Sequence, residues 1–241
     1  MEQLKSILFV DIETVPLQPS YELLTEGLQK EWLRKAKNLK ISPEEDSAPA
    51  ALFNERSGVF SEFAKVVCIG FGSLQLQNGE WKMRLKALAS DDEKELLQAF
   101  CSMLDNFTKF YPALRFCGHN IKEFDIPFLC RRMIINGMGL PLCMQLSGKK
   151  PWEISHIDTL ELWRFGDYKN FTSLSLLAEV LGIPSPKNDM DGSMVGKVYW
   201  QQHDLPRIAS YCLQDVLTSA RVYLKLSGIN DIDPEPVFLN D

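Results

Sequence analysis

The chain has 241 residues, of which 45% are apolar and 24% charged, an ordinary balance for a soluble globular protein with one sizeable core. Its net charge of −6 argues against a non-specific nucleic-acid coat, though not against an enzyme that grips a few phosphates locally. No apolar run reaches the roughly 18 residues of a membrane span, and the apolar run in MEQLKSILFV is too short for a secretory signal.

The first predicted element is a strand over Ile7 to Val10, continuous in apolar residues as a strand buried on both faces would be. It ends in Asp11 and Glu13, which alternation places on one face about 7 Å apart, and then in Pro16, which suits a strand end. Two like charges there are costly unless a cation lies between them.

Residues 17–63 read as an arm inserted after this strand: a polar helical stretch, a Pro/Glu/Ser break at ISPEEDSAPA, and a second short helix. KVVCIGFGSLQL (65–76) and WKMRLKALA form a hairpin around the NGE turn. A helix over 90–107 opens on Ser90 as its cap and a run of acids. ALRFCGHN is a short strand ending in a loop, and DIPFLCRRMIINGMG a helix with Pro127 in its first turn. SHIDTLEL carries a further strand, FTSLSLLAEVLGI a helix capped by Thr172 and stopped by Gly182, and residues 205–228 a long last helix. The tail DIDPEPVFLND is acidic and proline-rich, expected to be poorly ordered. Residues 115–150 carry Arg115, Lys122, Arg131, Arg132, Lys149 and Lys150 against Glu123 and Asp125, a locally basic stretch that also fits a solvated face. The six cysteines form no C-x-x-C pair, which leaves buried thiols in a reducing cytoplasm as the expectation.

Three polar groupings carry chemistry. The pattern D-x-E occurs at Asp11/Glu13, Asp91/Glu93 and Asp233/Glu235, but only the first follows a buried strand; Asp91/Glu93 sits where acids favour a helix dipole. In GHNIKEFDIPFL, Asp125 stands at a helix mouth after a Gly-His-Asn loop, where capping the helix is an equally common role. In YCLQD, Tyr211 and Asp215 share a helical face, and Tyr211 alone of six tyrosines has an aspartate four residues on.

Taken together, VDIET, N-x3-FD in NIKEFD and Y-x3-D resemble, in order and spacing over residues 7–224, the tyrosine branch of the DEDD superfamily of 3'-5' exonucleases. The helix in SLSLLAEVLGI and the DGSMV stretch are similar to stand-alone relatives of the family B DNA polymerase proofreading domain. The resemblance implies a ribonuclease H-like α/β fold, a mixed five-stranded sheet flanked by helices, in one domain over 1–228 with a tail over 229–241. It implies phosphodiester hydrolysis at the 3' end of single-stranded nucleic acid, DNA before RNA, with two Mg2+ or Mn2+ ions clamping the attacking and leaving oxygens. Asp11, Glu13, Asp125 and Asp215 would hold the ions, with Asp11 bridging. Tyr211 would orient the attacking water, since a phenol with an ordinary pKa near 10 is a poor base at neutral pH. The histidine branch has its histidine where this chain has Ser210. Asn120, His119 and Phe124 are candidates to touch substrate, and Asp158 to stand behind the ligands. Trp32 and Trp200 offer faces for base stacking, against the commoner role of core aromatics. Asp189 and Asp191 mimic the start of a calcium loop without its remaining acids and read as a turn. The rival readings are an exoribonuclease with the same chemistry and a binding module that has kept only the fold.

Overall fold

A computed structural model describes residues 2–39, 49–184 and 190–239. The chain order is α1 (Glu2–Lys5), β1 (Ile7–Pro16), α2 (Glu26–Ala36), α3 (Pro49–Arg56), β2 (Ala64–Gln77), β3 (Glu80–Ala89), α4 (Glu93–Phe110), β4 (Arg115–Gly118), α5 (Asp125–Ile135), β5 (Ile157–Asp158), α6 (Thr159–Arg164), α7 (Leu174–Val180), α8 (Val195–Lys197), α9 (Leu205–Leu226) and β6 (Glu235–Phe238). Among the described residues the strands form one six-stranded sheet ordered β5-β4-β1-β2-β3-β6. β2 runs antiparallel to both β1 and β3, whereas β4 is parallel to β1, β5 to β4 and β6 to β3. The mixed α/β class is thus as expected from the sequence, with helices on both faces.

β1 explains why its sequence is apolar throughout. Leu8, Val10 and Ile12 enter the core under α4 and α5, and Ile7 and Phe9 enter the one under α9. The β2–β3 hairpin turns at Asn78 (φ 51°) and Gly79 (φ 85°), as the NGE signal requires.

Several local expectations need correcting. The sixth strand comes from the tail: β6 pairs with Lys82–Leu85 of β3, and Leu239 N donates to Leu85 O at 2.8 Å. The proline-rich stretch is therefore part of the sheet. β5 is only two residues long, because Asp158 ends it by accepting from Leu160 N and starting α6. α4 is capped by Asp92, which accepts from Glu95 N, while Ser90 accepts from Asp92 N. α7 is capped by Ser173 and not Thr172. Residues 41–48 of the expected break, and Asp189, lie outside the described residues.

The arm has its own small core of Leu24, Trp32, Ala36, Leu52, Phe53 and Phe63. Trp32 is fully buried there, between Phe53 and Phe63, so it offers no face to a base. Trp200 is tied down too, its Nε1 donating to Pro16 O at 3.1 Å. The basic stretch loses Arg132, which is buried. Its Nε and Nη2 donate to Glu93 at 2.8 and 2.5 Å and its Nη1 to Ser61 O at 2.9 Å. Glu93 also accepts from Val66 N and Asn136 Nδ2. One carboxylate thereby joins α4, α5, β2 and, through Arg132, the end of the arm.

Candidate active site

The carboxylates of β1 share Phe9's face of the sheet, the face that α9 crosses. The β1–β2 register shifts between Glu13 and Thr14, a bulge that turns the strand just past the second carboxylate. α9 can approach closely because β2 has a glycine beneath it. A Cβ on Gly70 would lie 2.8 Å from Cys212 Sγ and 3.1 Å from Val216. Cys212 Sγ accepts from Gly70 N at 3.2 Å and contacts Asp11 O and Oδ2 at 3.4 Å each. Oxygens of Asp11 and Glu13 and the sulfur of Cys212 all lie within 4.8 Å of one another. Flanking Cys212 on the helix, Tyr211 donates its hydroxyl to Asp215 one turn on.

Asp125 arrives from the other side. β4 stops at Gly118, where a Cβ would meet Ile121 Cγ2 at 2.3 Å and Val10 O at 2.6 Å, so the chain can turn tightly only with glycine there. Asn120 takes a left-handed φ of 63°. Asp158 organises the turn from beneath: its oxygens accept from Asn120 N at 2.9 Å and Lys122 N at 3.0 Å. α5 then begins at Asp125 without a side-chain cap at Phe124. Asp125 accepts from its own N–H at the start of α5 and from Ile12 N of β1, the latter at 3.1 Å. The parallel ladder between β1 and β4 ends at Phe9, so that N–H lies beyond it.

The other three candidates fall on this same loop. His119 has both ring nitrogens engaged: Nε2 donates to Thr172 O at 2.8 Å and Nδ1 lies 2.9 Å from Thr159 Oγ1. Burial lowers its pKa, so it is a neutral strut between loops. Phe124 packs on Phe128 at 5.4 Å. Asn120 fixes the turn through its backbone.

Electrostatically the four acids form one group. Burial, then the charges of Asp125 and Asp215, hold Asp11 well above the usual carboxylate range. Burial and the charge of Asp11 do the same to Glu13. Burial raises Asp125 to about 7, against the pull of its own N–H and that of Ile12, and Asp215 to about 6, against the Tyr211 hydroxyl. Tyr211 is pushed far up by burial and by the charges of Asp215 and Glu13, so its phenol stays protonated. Acids that repel one another, Glu13 and Asp125 buried and Asp11 and Asp215 partly so, are a donor set suited to hard divalent cations. Burial likewise raises the Cys212 thiol, so its sulfur reaches Asp11 as a protonated donor.

The structure brings Asp11, Glu13 and Asp215 to one face and ties Asp125 to the strand between them. Cys212 was missed by sequence reasoning, since nothing in a cysteine beside a tyrosine marks it as touching a strand 201 residues away.

Residues 59–233 match a family described as a predicted 3'-5' exonuclease related to the exonuclease domain of PolB, a span that includes Asp125, Tyr211 and Asp215 but begins after β1. Among solved structures, the chain is similar to the family B DNA polymerase of the hyperthermophilic archaeon Pyrobaculum calidifontis, with a TM-score of 0.52 and 16% identity. That match covers 91% of this chain and 24% of the polymerase, and so shows a shared fold. No curated protein matches the sequence. Among the described residues no helix is long and apolar enough to cross a membrane. With the match extending over most of its length, the chain belongs to the family of predicted 3'-5' exonucleases related to the PolB exonuclease domain.

Proposed function

We propose that the protein removes nucleotides from the 3' end of single-stranded DNA, using two divalent ions, Mg2+ or Mn2+, held by Asp11, Glu13, Asp125 and Asp215. What supports this reading is that Asp11 and Glu13 lie together on one strand face, Asp125 accepts from Ile12 N between them, and the charge of Asp215 reaches both, beside a protonated Tyr211. DNA is favoured over RNA by the family's relation to a DNA polymerase's exonuclease domain.

Bound ions would supply Lewis-acid stabilisation of the phosphate and a more acidic water. The chain's part is to place the oxygens. Asp11 is held by Cys212 and its strand, and Asp125 by the Ile12 N–H. Glu13 follows on the same strand face. Tyr211 keeps its proton and has its oxygen fixed by Asp215, so it acts as a donor that orients water and not as a base. We take residues 1–228 as the catalytic domain with the 17–63 arm inserted, to whose sheet the tail adds β6. Six free cysteines fit a reducing compartment such as the cytoplasm.

The test is a 5'-labelled single strand incubated with Mn2+ or Mg2+, beside an RNA strand and a dinucleotide. Stepwise shortening from the 3' end is expected, abolished by chelator and by Asp11→Asn. No shortening at micromolar enzyme with the fold intact would refute the reading.

A further inference from the structure

Three large aromatic rings stand in water within seven residues: Phe165 is 89% exposed, Tyr168 77% and Phe171 64%. They belong to the segment between α6 and α7, which is built and not slack. α6 ends at Phe165 with φ 45°, a left-handed position that a bulky side chain seldom takes, and Gly166 follows at φ 91°. Asp167 closes the turn, its N donating to Arg164 O at 2.8 Å and its carboxylate accepting from Lys169 N and Asn170 Nδ2 at 3.0 Å each. Arg164 lies beneath Tyr168, 5.8 Å from the ring centre.

This segment is fastened to the loop that delivers Asp125. Arg164 Nη1 donates to Glu123 at 3.2 Å, and His119 Nε2 donates to Thr172 O while its ring meets Phe171 edge-on at 6.3 Å. Exposed rings on a fixed frame beside a polyanion-hydrolysing site have an obvious occupant. A base has a π-face whatever its identity, and aromatic faces are how proteins hold single strands without reading sequence. In a chain whose net charge is −6, stacking offers a hold on the strand that does not depend on overall charge.

We infer that Phe165, Tyr168 and Phe171 form a stacking platform for the unpaired bases of the substrate strand that lie 5' of the nucleotide being removed. This deepens the exonuclease reading and rests on it for the direction of the strand.

The experiment compares the parent with Phe165→Ala, Tyr168→Ala and Phe171→Ala on two substrates, an oligothymidylate strand and the nitrophenyl ester of thymidine 5'-monophosphate. Strand binding is also read by fluorescence anisotropy without divalent ion. Each substitution should weaken strand binding and raise KM for the strand about 10-fold, with turnover of the ester unchanged, since the ester ends where the platform begins. Phe165→Gly should bind the strand as poorly as Phe165→Ala yet unfold at a higher temperature, because glycine accepts the left-handed backbone. Unchanged strand binding in all variants, as a protein-docking patch would give, overturns the inference. So does an equal loss on strand and ester, which would mean the rings merely support the site. A parent that hydrolyses neither substrate sinks the exonuclease reading, while the anisotropy arm still decides the platform.

Discussion

Asp125→Asn isolates the electrostatic cost of the cluster. The substitution keeps an oxygen to accept from Ile12 N, at 3.1 Å in the parent, and removes only the ionisation. In the folded protein Asp125 keeps its proton up to about 7, chiefly because it is buried, whereas an unfolded carboxylate loses it near 3.8. Between those values the native state binds more protons than the unfolded one, so stability falls as pH rises. The loss accrues at about 1.4 kcal/mol per pH unit and reaches roughly 4 kcal/mol once both states are ionised. In chelator, parent and variant should therefore be equally stable near pH ~4 and diverge up to pH ~7, the variant ending about 4 kcal/mol ahead, or roughly 8–16 °C in Tm for a chain of this size. Mn2+ should reverse the order above neutral pH, because it binds the intact cluster better than the variant. Urea unfolding across pH, with and without Mn2+, measures both effects. If the chelated parent were equally stable at pH ~5 and ~8, or the variant followed it throughout, the acids would not be coupled buried neighbours and the metal-site reasoning would fail.

Tyr211→Phe takes one hydrogen bond from Asp215 and so should weaken Mn2+ binding no more than about 10-fold, while lowering saturated turnover about 10–100-fold, a split read by calorimetry and single-turnover cleavage. Cys212→Ala removes the thiol from Asp11 and should weaken Mn2+ binding about 10-fold by calorimetric titration, because a supporting contact to a ligand is lost. Arg132→Met leaves Glu93 buried and unpaired, at a cost of about 3–5 kcal/mol in urea unfolding, much of it recovered when Glu93→Leu is added.

What could be read in the sequence was whatever is encoded locally. Asp11 and Glu13 were legible because strand alternation and a buried apolar run are properties of ten adjacent residues, and Tyr211 and Asp215 because one helical turn fixes their relation. Asp125 was legible as a loop acid, but its bond to Ile12 N was not, because 113 residues separate them and capping its own helix was as good a reading. Glu93 shows the limit most clearly. In sequence it is one of several acids at a helix start, while in the fold it is buried against Arg132, 39 residues away. The tail misled for a related reason: an acidic, proline-bearing stretch has no strand signal of its own, and becomes β6 only because β3 offers it a row of partners.

That last strand also determines how the molecule meets its neighbours. Without β6, the ten-residue ribbon of β3 would be the rim of the sheet, long and regular enough to template pairing with another copy. β6 moves the rim outward to four residues that include Pro236, which has no N–H to donate. A stretch that composition marks as dispensable thus serves as the selvedge of the sheet, and trimming it to obtain a tidier protein would trade a finished border for a sticky one.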